Sequence, residues 1–71
     1  MEATISNALT KREKEIIAEV SKGLGDKEIA TKIYISPATV KTHVKNIYRK
    51  LGVRNRVEAS LKYIIYTDHF V

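Results

Sequence analysis

The stretch 36–52, SPATVKTHVKNIYRKLG, carries its own start signal, its own stop signal and two chemically opposite faces. Ser36 is a good N-cap, because its hydroxyl can accept a hydrogen bond from an unpaired amide of the first turn. Pro37 falls at the first helical position, where a missing N–H costs nothing. Ile35 before the cap and Val40 at the fourth helical position have the spacing of a hydrophobic staple. Gly52 follows the last periodic residue, where a left-handed stop suits glycine. Between these signals Val40, Val44, Ile47, Tyr48 and Leu51 repeat as one face of a helix. At about 100° per residue the opposite face centres on Thr42, Lys45, Asn46 and Arg49, flanked by Lys41, His43 and Lys50. The stretch holds Lys41, Lys45, Arg49 and Lys50 and no acid. A capped helix with one apolar and one cationic side has the form of a groove-reading helix. A solvated basic surface helix shares that pattern, so what precedes the helix decides between the two.

Only a small core is available to a chain of 71 residues, and no cysteine is present to staple it. Stability must come from packing, and from any association. The net charge of +5 fits an anionic partner. Outside 36–52 acids and bases nearly balance. No apolar run approaches the length of a membrane span, and MEATISNALT lacks the form of a secretory signal. The expected location is the cytoplasm, with no membrane partner.

Residues 1–8 carry little pattern and are expected to be a flexible lead-in. Thr10 and Glu13 have capping-box spacing, and Ile16, Ile17, Val20 and Leu24 give the buried stripe of a first helix, over about 10–23. Gly23 and Gly25 end it. Asp26 is the expected N-cap of a short second helix, 27–33, whose inner edge is Ile29, Ala30 and Ile33. The small Ala30 would let the third helix cross closely. Only Tyr34, Ile35 and Ser36 separate that helix from the third, 37–51. Two helices joined by so short a turn make a helix-turn-helix, here about 26–45. Asn55 caps a fourth helix, 56–66, with two apolar stripes. Val57, Leu61, Ile64 and Ile65 make one; Ala59, Tyr63 and Tyr66, extended by Phe70, make the other. A small domain covers only one side of a terminal helix, so the remaining stripe is either an exposed patch or a contact with a second subunit. Periodicity does not say which. The expected fold is all-α: a compact four-helix domain over 9–67 with a central helix-turn-helix, then a tail over 68–71.

The run from Leu9 to Ala59 resembles the DNA-binding domain of the LuxR/NarL/FixJ/GerE family of bacterial transcription regulators. The resemblance rests on Leu9-Thr10 with Arg12-Glu13 and Glu15, on Lys27-Glu28-Ile29-Ala30, and on Ile35-Ser36. Thr39-Val40-Lys41 with His43, Asn46-Ile47 before Lys50-Leu51, and Arg56 with Ala59 complete it. It implies sequence-specific binding of double-stranded DNA for transcription regulation, as a dimer on an inverted repeat. The output domain of a response regulator and a free-standing regulator are both compatible with it. It implies base reading by Lys41, Thr42 and Lys45, and phosphate contacts from Lys27, Ser36, Thr39, Arg49, Lys50 and Arg56. Thr42 also lies at the centre of the outward face derived from periodicity. It places a homodimer on the fourth helix; Leu61, Tyr63 and Ile64, drawn from both stripes of that helix, are the expected contacts, and RNA polymerase is a further expected partner. One position departs: Asp26 stands where the family usually has asparagine, and brings a negative charge near a phosphate.

Other chemistry finds no support in the residues. There is no Ser/His/Asp or Cys/His set and no phosphate-cradling glycine loop, so no enzyme, cofactor or small-molecule ligand is expected. Glu13, Glu15 and Glu19 recur among lysines as a solvated, salt-bridged face. His43 has no partner at helical spacing, and Asp68 with His69 lacks a third ligand, so no metal site is expected. Tyr48 belongs to the core stripe; Tyr34, Tyr63 and Tyr66 stay undecided between core and base stacking. The narrow, deep groove of A-form RNA would not admit the third helix. The competing reading is a helical protein-interaction module, docking through the fourth helix and binding DNA without specificity.

Overall fold

Thr10 opens the first helix, as its spacing to Glu13 predicts. Its hydroxyl accepts from the Glu13 amide at 3.1 Å, and the Glu13 carboxylate accepts from the Thr10 amide at 2.9 Å. A computed structural model describes residues 8–68. The expected lead-in and tail, and with them His69 and Phe70, lie outside these residues but for one position each. The elements are α1 (Lys11–Ser21), α2 (Asp26–Ile33), α3 (Pro37–Leu51) and α4 (Arg56–Asp68), with no strand among the described residues.

Each boundary has a local cause. The chain leaves α1 through a glycine in the left-handed region, Gly23 at φ 92°, while the Leu24 amide turns back to the Glu19 carbonyl at 3.3 Å. The second helix starts one residue earlier than expected. Gly25, not Asp26, is its N-cap, and the Glu28 carboxylate accepts from the Gly25 amide at 2.7 Å. Asp26 is thereby the first helical residue, still a favourable place for a negative charge beside the helix dipole, and its side chain is released for another partner. A left-handed Tyr34 at φ 61° ends α2. Ser36 caps α3 as expected, accepting from the Thr39 amide at 3.1 Å, and Gly52 stops it at φ 69°. Asn55 Oδ1 accepts from the Glu58 amide at 2.9 Å, and α4 runs two residues beyond the predicted end.

The core is one cluster. It gathers Ile16, Ile17 and Val20 from α1, Ile29 and Ala30 from α2, and Val40, Val44, Ile47 and Leu51 from α3. Leu9 and Ala59 complete it. Helix α1 packs against α4 and α3, and α2 lies on α3. Buried Ala30 is at the α2 contact, where a small side chain allows two helix backbones to come close.

The tertiary structure decides between the two stripes of α4. Ala59 is 0% exposed, and Tyr63 and Tyr66 are partly buried against the core. Val57 is 68% exposed and Leu61 54%, with Ile64 and Ile65 also open. Ala59 explains the choice, since α1 packs closely only where the neighbouring side chain is short. Lys62 from α4 donates to the Leu51 carbonyl at 2.9 Å, satisfying an orphan acceptor at the end of α3.

Candidate nucleic-acid interface

Helix α3 is held from behind by Val40, Val44, Ile47 and Leu51, all buried. A helix gripped along that line must turn Lys41, Thr42, Lys45 and Arg49 outward, and all four are exposed. His43 and Asn46 are half-buried at the margins. The hydroxyl of Thr42 donates to the Ala38 carbonyl at 3.1 Å. Its proton is therefore committed, and toward solvent it offers a methyl group and an acceptor oxygen.

Beside this face lies an open groove of about 640 Å³. One wall is α3, through Ala38, Lys41, Thr42, Val44, Lys45 and Tyr48; the other carries Asp26 and Arg56, from the first turns of α2 and α4. The starts of α2 and α4, set beside α3, thus bring three cations and one carboxylate around a single concavity. The lysines of α3 were legible from spacing, but the participation of Asp26 was not. Its partner Arg56 is 30 residues away, and no helical period links them.

The six residues expected on phosphates divide into two groups. Lys27, Ser36, Thr39 and Arg49 are exposed. Ser36 and Thr39 share a hydrogen bond between their hydroxyls at 2.9 Å, at the N-terminus of α3. Lys50 and Arg56 are engaged inside the fold. Lys50 Nζ meets Glu13 Oε1 at 2.8 Å, and Glu13 is 3% exposed, so it is not on the solvated face expected of it: the capping contact with Thr10 and the ion pair with Lys50 hold it between α1 and α3. Arg56 donates to Asp26 Oδ1 at 3.2 Å and to the Leu24 carbonyl at 2.9 Å. Burial pushes the Glu13 carboxyl up, but hydrogen bonds from Lys50 and Thr10 outweigh it and hold the group below its ordinary value. Of the expected dimer contacts, Leu61 and Ile64 are exposed, while Tyr63 is half-buried against the core. Among the described residues no three potential metal-ligating side chains come together, and no helix is long and apolar enough to cross a membrane.

A helix-turn-helix formed by α2 and α3, with the cationic side of α3 exposed, is an arrangement used by DNA-binding regulators. Comparison with known proteins agrees. The family model described as "Bacterial regulatory proteins, luxR family" matches residues 7–62. The chain belongs to that family. It is 52% identical over 58 residues to the transcriptional regulatory protein LnrK of Bacillus subtilis, covering 82% of this chain and 26% of that protein. Against the nitrate/nitrite response regulator protein NarP of Escherichia coli it is 43% identical over 58 residues, covering 82% of this chain and 27% of NarP. The chain thus spans about a quarter of the length of these relatives.

Proposed function

We propose that this domain reads a specific double-stranded DNA site by laying α3 in the major groove. The observation that carries the reading is the exposure of Lys41, Thr42 and Lys45 on the side of α3 opposite its buried stripe. An α-helix with its side chains is about as wide as the major groove, roughly 12 Å. Lys41 and Lys45 can donate to guanine O6 and N7. Thr42, its proton held by Ala38, suits a thymine methyl group or a base amino group. Lys27, Ser36, Thr39 and Arg49 then meet phosphates, Ser36 and Thr39 together with the Ala38 amide at the start of α3.

The exposed stripe of α4, through Val57, Leu61, Ile64 and Ile65, supports assembly of two copies. Such a dimer would set two copies of α3 about 34 Å apart, on an inverted repeat with that spacing. The domain would act in the cytoplasm, where bacterial DNA lies. The names of LnrK and NarP support a role as the output domain of a transcription or response regulator. RNA polymerase is the partner such an output would address.

The same exposed stripe favours a second reading, a protein-docking module with unspecific DNA binding. Sites selected from a random duplex pool, compared with random duplex over a salt series, separate the two. A specificity ratio well above one, and an inverted repeat among the winners, are expected; a ratio near one would favour the docking module.

A further inference from the structure

The groove beside α3 contains one feature that works against an anionic ligand. Its walls carry Lys41, Lys45 and Arg56, but Arg56 is already bonded to the carboxylate of Asp26 at 3.2 Å. Asp26 is free to make this contact because Gly25 caps α2 and Glu28 satisfies the Gly25 amide. With α3 in a major groove, the sugar–phosphate strand on that side runs along the opposite wall, where Asp26 and Arg56 stand. The carboxylate then occupies the guanidinium that a phosphate oxygen would take.

We infer that Asp26 is an affinity-setting residue of this interface: an internal stand-in for a DNA phosphate, which withholds Arg56 until a duplex competes it away. The inference rests on the DNA-binding reading above. The geometry suits an exchange of partners. The two side chains are 38% and 25% exposed, so water and salt reach the pair and it holds only weakly. The second nitrogen of the guanidinium stays on the Leu24 carbonyl at 2.9 Å, so Arg56 need not leave its place to change acceptor. A planar guanidinium also matches a phosphate as well as it matches a carboxylate. Since phosphate contacts carry no base information, Asp26 would lower affinity for every duplex alike and leave the ranking of sequences unchanged.

The test measures binding of random-sequence and selected DNA duplexes across a salt series, with Asp26→Ala, Arg56→Gln and the double variant, all in the whole chain. Circular dichroism checks that each variant keeps its helices; if Asp26→Ala loses them, the isosteric Asp26→Asn carries the same expectation. Asp26→Ala should tighten both duplexes about two- to fivefold, the strength of the exposed pair it removes. The slope of log affinity against log salt should stay nearly unchanged, because the duplex claims Arg56 in both chains and the number of phosphates neutralised is the same. In the Arg56→Gln background the same replacement should gain nothing. Unchanged or weaker binding by a folded Asp26 variant would overturn the inference while leaving the DNA reading intact. A gain that survives in full without Arg56 would overturn it too, showing that Asp26 acts through its own charge. Failure of the unaltered chain to bind any duplex would sink the DNA reading and this inference together.

Discussion

Lys50 Nζ and Glu13 Oε1 lie 2.8 Å apart, joining the C-terminal turn of α3 to the first turn of α1 across 37 residues of sequence. The carboxylate is buried and also accepts from the Thr10 amide, so one side chain both caps α1 and anchors α3. Lys50 is thus a structural residue of the free domain as well as a cation next to the proposed interface. Its replacement is expected to act first on stability. Lys50→Met would leave a buried carboxylate without its cation and should cost about 1–3 kcal/mol, below the full cost of a deeply buried pair because the lysine is partly exposed. Chemical denaturation measures this directly. Pairing Lys50→Met with Glu13→Leu should cost less than the sum of the two single changes.

The same pair gives the domain an acid-sensitive stability. Glu13 and Glu19 both sit below the ordinary glutamate value of 4.5. Burial raises Glu13, but Lys50 and Thr10 overcome it; Lys32 lowers Glu19 first, with Lys22 adding to it. A carboxyl whose folded value is depressed binds its proton more weakly when folded than when unfolded. Its contribution is therefore complete above the unfolded value and is lost as pH falls through the folded one. The denaturation midpoint should be flat near neutrality and fall as pH drops below about 4.5. In Glu13→Gln the midpoint should start lower at neutral pH and fall less steeply, converging on the unaltered chain in acid.

Tyr34 combines a left-handed backbone, φ 61° and ψ 43°, with a side chain 93% exposed. A residue with a Cβ is strained there by about 1–2 kcal/mol, and no burial compensates it. Glycine removes that strain but loses about 0.5–1 kcal/mol through the freedom it regains when unfolded. Tyr34→Gly should therefore stabilise the domain by up to about 1 kcal/mol, whereas Tyr34→Ala, which keeps the Cβ, should not. Thermal or urea melts of the two variants side by side decide it.

On a selected DNA site, Lys41→Ala or Lys45→Ala should each cost about 1–3 kcal/mol and relax base preference at one position. Arg49→Ala should instead weaken selected and random duplexes alike and flatten the salt dependence by about 0.9. Binding isotherms over a salt series would show the difference. The same response from both classes would refute the division between reading and anchoring residues.

On α4, Leu61→Asp should abolish self-association and leave helicity unchanged, because Leu61 is open to solvent. Tyr63→Asp should lower the melting temperature, because Tyr63 packs on the core. Sedimentation together with circular dichroism distinguishes loss of a contact between copies from loss of the fold.

What could be read from the chain alone was whatever local chemistry dictates. Thr10, Ser36 and Asn55 cap their helices because a short side-chain oxygen reaches an amide three residues on, a distance set inside one turn. Gly52 ends α3 for an equally local reason. The outward face of α3 followed from the 3.6-residue period, since burying Val40, Val44, Ile47 and Leu51 leaves Lys41, Thr42 and Lys45 no other direction. What the period could not supply was the identity of distant neighbours. Two apolar stripes on α4 look equivalent until α1 packs on the one with the short Ala59. Asp26 looked like a cap until Gly25 took that place and Arg56 arrived from 30 residues away. Lys50 was expected on a phosphate, and only the packing of α1 against α3 places Glu13 beside it. Local hydrogen bonds and periodicity depend on a few consecutive residues, whereas ion pairs and buried faces depend on which helices meet, and that is settled only when the whole core closes.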